Sequence, residues 1–152
     1  MNRAWHFIGL AFLLMLAGCE STGGFSERFR PAEPVLRSYD QPSAQVFAAA
    51  RKALDLMGFK ITRASEASGR IEAVNAVRAD AALRSSSQVS VKVGLESTLD
   101  GGTEMRVWMN EIVEDNFTGA GGYGTRTPLR ASPLYEVLFR ETEKGLGLAE
   151  NE

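Results

Sequence analysis

Apolar and polar positions along the chain fall into three rhythms, and each names a kind of element. Phe7 to Ala17 is an unbroken apolar run of about eleven residues. Val46, Phe47, Ala50, Leu54 and Met57 recur at helical spacing, with Arg51, Lys52 and Asp55 on the other side. That spacing predicts a helix from Ser43, an N-cap after Pro42, to the stop supplied by Gly58. A second helix is expected from Ser132-Pro133 to Gly145, with Leu134, Tyr135, Leu138, Phe139 and Thr142 as its buried stripe.

Between the helices the period shifts to two. Phe59 to Thr62 alternates, Glu66-Ala67-Ser68-Gly69 turns the chain, and Arg70 to Val77 alternates again through Ile71 and Ala73. Val89, Val91, Val93 and Leu95 then put one apolar face on a strand, and Asp100-Gly101-Gly102 supplies a hairpin turn. The return strand carries Met105, Val107 and Met109 on one face and Trp108 on the other, and Ile112-Val113 extends it, with a bulge as one reading. Arg78 to Ser86 stays open between a helical turn and a loop. Asn116 to Arg130 reads as a glycine-rich loop, either a plain surface loop or a contact loop using Phe117, Tyr123 and Arg126.

The fold expected from this order is α+β: a two-layer domain over residues 43–147, with a four-stranded, mainly antiparallel sheet and two helices on one face. A frayed tail is expected over residues 148–152. An outer sheet face or edge is then left for a partner, and Trp108 lies on it.

The N-terminal apolar run changes the picture. Arg3 precedes it, small residues end it, and it is too short to span a bilayer comfortably, which is the pattern of an export signal over residues 1–18. Residues 19–42 then read as a tether: Ser21-Thr22-Gly23-Gly24, scattered charges, and Pro31, Pro34 and Pro42. Phe25, Phe29, Val35, Leu36 and Tyr39 make it less than purely polar. Docking of its later part onto the domain is the preferred reading, and a partner-binding segment the other.

Leu16-Ala17-Gly18-Cys19 resembles the bacterial lipobox: an aliphatic residue, two small residues and a Cys directly after the apolar run. The resemblance implies a diacylglyceryl group on the Cys19 thiol, cleavage between Gly18 and Cys19, and acylation of the new amine. It also implies attachment to a membrane, since two or more acyl chains hold firmly where one does not. Lipoproteins with Asp after the modified Cys tend to stay in the inner membrane. Here Glu20 follows, so the expected place is the outer membrane, facing the periplasm.

Composition then removes most chemistry. The 152 residues include one Cys and one His, so no internal disulfide can form. His6 lies within the signal, and a lipidated Cys19 has no thiol, so the mature chain would carry neither imidazole nor free thiol. Ser-His-Asp and Cys-His nucleophiles, the usual zinc sites and most haem and iron–sulfur ligation are thereby excluded. Glu111, Glu114 and Asp115 cluster in sequence, and carboxylate pairs, a Ser-Lys dyad or an all-oxygen calcium site remain formally open. No acidic calcium-loop pattern is present. A formal net charge of -2 argues against nucleic acid as a partner.

Tyr39-Asp40, the helix through Val46 to Leu54, Gly58-Phe59, Glu66 and Gly69-Arg70-Ile71-Glu72-Ala73 resemble the start of the small helix-grip domains of proteobacterial lipoproteins. The C lipoprotein of the β-barrel assembly machinery is an example. The resemblance covers residues 39–77 and implies the same fold grammar; one such domain fits here, where that lipoprotein has two. The expected function is a non-catalytic accessory or scaffold lipoprotein, without cofactor or metal, that binds another envelope protein. The alternative is a periplasmic binder of a small ligand or glycan, with Trp108 and Tyr123 stacking on a sugar.

Overall fold

Residues 32–80, 85–115 and 123–148 are described by the structure, a computed structural model. Along them run β1 (Val35–Tyr39), α1 (Ser43–Leu56), β2 (Lys60–Ser65), β3 (Arg70–Val74), β4 (Arg78–Asp80), β5 (Ser85–Ser97), β6 (Thr103–Asp115), β7 (Tyr123–Pro128) and α2 (Leu134–Gly145). The α+β class, the two helices and the open antiparallel sheet agree with expectation. The strand count does not: among the described residues seven strands stand where four were expected.

The hairpin explains the difference. β5 and β6 are thirteen residues each and pair without interruption from Ser85↔Asp115 to Ser97↔Thr103, so no bulge occurs at Ile112-Val113. Strands this long offer more edge than β3 alone can cover. β3 takes Ser90 to Gly94 of β5, and β4 takes Ser85 to Ser87 beside it. On the other edge β1 pairs with Thr103 to Val107 of β6, and β7 with Asn110 to Asp115. Met109 falls between those two partners. Its carbonyl accepts from Leu129 N–H at 2.9 Å, and its buried N–H donates to the Tyr135 hydroxyl at 3.0 Å, so both backbone groups are satisfied.

The core joins one face of this sheet to both helices. Ile71, Ala73, Val91, Val93, Leu95, Met105, Val107 and Met109 meet Val46, Phe47, Ala50 and Leu54 of α1 and Tyr135, Leu138 and Phe139 of α2. Gly145 is the last residue of α2, where an added Cβ would sit only 3.1 Å from the Ala49 Cβ of α1. At the other end of α2, Ser132 Oγ accepts from Leu134 N–H at 3.3 Å while Pro133 already has helical φ and ψ, the expected cap. α1 differs in detail. Ser43 is its first residue, and the Pro42 carbonyl receives Gln45 and Val46 N–H at 2.9 and 3.2 Å, with no side-chain cap.

β1 lies inside what the sequence suggests is tether, so the folded unit begins ahead of Ser43, near Ala32. Its inward residues are Val35, Arg37 and Tyr39. Arg37 closes the strand onto α2, with its guanidinium 3.0 Å from Glu136, 3.8 Å from Glu143, and 4.8 Å from the Phe139 ring centroid. Tyr39 is buried, and its hydroxyl finds no hydrogen-bond partner among the described residues. Burial pushes the Tyr39 phenol well above its ordinary range; Glu143 and Glu136 add to the shift and Arg37 opposes it.

Because folding favours the protonated phenol, this contribution is complete below the unfolded value of about 10 and is lost as pH rises beyond it. Tyr39→Phe is therefore expected to be neutral, or stabilising by about 1 kcal/mol at pH 7, since it removes an unsatisfied hydroxyl. The variant should also lose less stability than the parent above about pH 10. Urea unfolding at pH 7 and 10.5 checks both, and a clear loss at pH 7 would refute the account.

Candidate functional site

Two surfaces of the described domain carry unsatisfied chemistry, one on each face of the sheet. The first arises because the sheet runs on past the helices. Val91, Val93 and Leu95 of β5 are buried, whereas Ser85 to Ser90 are only half-buried. The half-covered segment opens a cleft of about 310 Å³ at the ends of the helices. Met57, Phe59, Val89 and Leu134 form its apolar part, and Arg78 and Glu111 its charged part. Glu111 opposes Val89 in register, and Arg78 opposes Ser87. No ion pair joins Arg78 and Glu111 among the described residues.

The second surface is the outer face of the sheet. Trp108 lies there opposite Lys92, whose ammonium sits 5.4 Å from the Trp108 ring centroid. The indole edge also reaches Gly94, where a Cβ would meet it at 3.5 Å, so the tryptophan covers the one position of β5 that lacks a side chain. Beside this pair is a shallow depression of about 260 Å³ running from Thr62 in β2 across the sheet to Arg126 in β7. Farther along, Arg106 is held between Glu96 at 2.7 Å and Glu104 at 2.8 Å, while Leu36 stands 53% exposed.

Of the residues singled out from the sequence, Trp108 and Arg126 share this outer face. Lys92 links them, since it stacks on Trp108 and lines the depression with Arg126. Arg126 sits in a strand, opposite Ile112, and not in the expected loop. Tyr123 opens that strand opposite Asp115. Phe117, Gly18 and Cys19 lie outside the described residues. Glu111 and Glu114 fall on opposite sheet faces because their spacing is odd, so the sequence cluster is not a spatial one. Among the described residues no three acidic, His or Cys side chains come together as a metal site.

The cleft has no signature in local sequence, since its lining comes from the connection after α1 (Met57 and Phe59), from Asn75 just past β3, and from β4, β5, β6 and α2. Only the length of the hairpin, beyond what two short helices can cover, hinted at it. No family model and no curated protein matches the chain.

Proposed function

We propose that the chain is a lipid-anchored protein of the bacterial cell envelope whose domain binds another envelope protein and carries out no chemistry of its own. The lipobox Leu16-Ala17-Gly18-Cys19 supports the anchor, with Glu20 favouring the outer membrane. Thirteen residue steps separate Cys19 from Ala32. Even fully extended they reach about 45 Å, so an anchored domain works close to its own membrane.

The observation that carries the binding role is the sheet left bare beyond its helices. Its cleft pairs an apolar floor of Met57, Phe59, Val89 and Leu134 with the opposed charges of Arg78 and Glu111. Buried, such a floor adds affinity, and the charges select a complementary rim. A partner segment with an apolar side chain flanked by an acid and a base suits it.

Site-specific photo-crosslinking in intact envelopes tests the reading. A photoreactive residue at Ser87 or Glu111 is expected to give the same discrete adduct, while one at Lys52 on the exposed side of α1 gives none. The adduct should disappear when anchoring is blocked. Adducts of equal yield from all three positions, or none from the cleft, would reject this surface.

A further inference from the structure

We propose that the depression on the outer sheet face binds an acidic sugar, with Arg126 and Lys92 holding its carboxylate and Glu72 its hydroxyls. The register carries the argument. Glu72 in β3 is the direct cross-strand neighbour of Lys92 in β5, the position from which opposite charges normally pair. Among the described residues no ion pair joins them. Lys92 places its ammonium over Trp108 instead, and both Glu72 and Lys92 line the depression. Arg63 in β2 opposes Glu72 from the other side, and among the described residues no ion pair joins these two either. The site thus keeps a carboxylate that neither cross-strand cation pairs with, together with Lys92 and Arg126.

The remaining polar groups fit the same ligand. Thr62 Oγ1 donates to the Glu72 carbonyl at 3.1 Å and Ser90 Oγ to the Asn110 carbonyl at 3.4 Å, which leaves both hydroxyl oxygens as acceptors. The Asn110 side chain adds an amide. An apolar ligand would leave these groups desolvated and unpaired. A simple anion would use the cations and meet repulsion from Glu72. A sugar acid offers hydroxyl donors at one end and an anion at the other, and its C–H face suits Val74 and Ile112 in the same depression. At about 260 Å³ the space suits one ring and its substituents. Trp108 is a positioning residue, holding Lys92 away from Glu72. Export to the periplasm, proposed above, is what would bring the domain to such sugars, but the site itself can be tested without it.

N-acetylmuramic acid and N-acetylglucosamine differ by one lactyl carboxylate, which makes them the probe pair. Saturation-transfer NMR on the full chain in detergent is expected to show saturable binding of the acid and about tenfold weaker binding of the neutral sugar. Arg126→Ala should abolish the difference, Glu72→Gln should weaken both sugars, and thermal melts should confirm that both variants are folded. In the Trp5→Phe chain Trp108 is the single tryptophan, and its fluorescence should change with saturation as Lys92 engages the ligand. Absence of binding up to about 50 mM, equal binding of both sugars, or full competition by acetate would overturn the proposal. Because these readouts need neither lipid nor partner, their failure is distinct from failure of the anchored-scaffold reading.

Discussion

Gly69→Ala is expected to lower the stability of the domain by about 2–4 kcal/mol, against about 1 kcal/mol for Gly58→Ala. Both glycines have positive φ, +58° at Gly69 and +79° at Gly58, so both variants carry the strain of a left-handed alanine. Their surroundings differ. Nothing lies within 4 Å of a Cβ built at Gly58, whereas at Gly69 the Cβ would run into the carbonyl oxygen of Leu95.

That obstacle is backbone, so no change of rotamer relieves it. Leu95 N–H donates to the Gly69 carbonyl at 2.8 Å, and Gly69 N–H donates to Glu66 at 3.0 Å, closing the turn between β2 and β3. Relief must therefore part β3 from β5 next to their first paired residues, Arg70 and Gly94. Urea unfolding of the two variants isolates the clash as the difference between their losses. Equal losses would show that the turn relaxes freely and that the close approach has no energetic weight.

The same contrast between burial and backbone explains what could be read from residue order. α1, α2 and the β5–β6 hairpin were legible because their stability comes from apolar stripes, and stripes have a period. Val91, Val93, Leu95, Met105, Val107 and Met109 all point into the core as their alternation implies. β4 and β7 carry no such mark. Arg78-Ala79-Asp80 and the run Tyr123 to Pro128 contain almost nothing apolar, and they are strands because the long hairpin presents unpaired backbone groups on both edges. β1 was hidden differently, since its central inward residue is Arg37, a charge kept near the core by Glu136, Glu143 and Phe139.

The candidate sites divide along the same line. Trp108 and Arg126 stand out as large side chains in a polar setting, and the sequence is enough to pick them. That Glu72 faces Lys92 depends on the pairing of strands twenty residues apart, and that Lys92 turns to Trp108 depends on a third strand. No spacing rule contains those relations. The cleft is further out of reach, because it exists only where the helical layer ends.

Cys19→Ala is expected to abolish lipid labelling and leave an unprocessed chain that retains residues 1–18. The thioether cannot form without the sulfur nucleophile, and on the lipobox reading the peptidase acts only on the lipidated form. The retained apolar run of about eleven residues would be roughly 16 Å long as a helix, about half the hydrocarbon thickness of a bilayer, and so a poor substitute for the lipid. A companion chain, carrying Cys19→Ala behind an ordinary secretion signal, separates processing from attachment and should be released from the membrane. Among the described residues no helix is long and apolar enough to cross a membrane. On the lipobox reading the acyl chains carry the proposed attachment, each contributing about 0.8 kcal/mol per buried CH₂. Metabolic labelling, intact mass and membrane fractionation read these outcomes directly. Normal processing or lipid labelling of the Cys19→Ala chain would remove the basis for the anchor. If the released companion still gave the Ser87 and Glu111 adducts, the cleft would be a binding surface that does not need the membrane to find its partner.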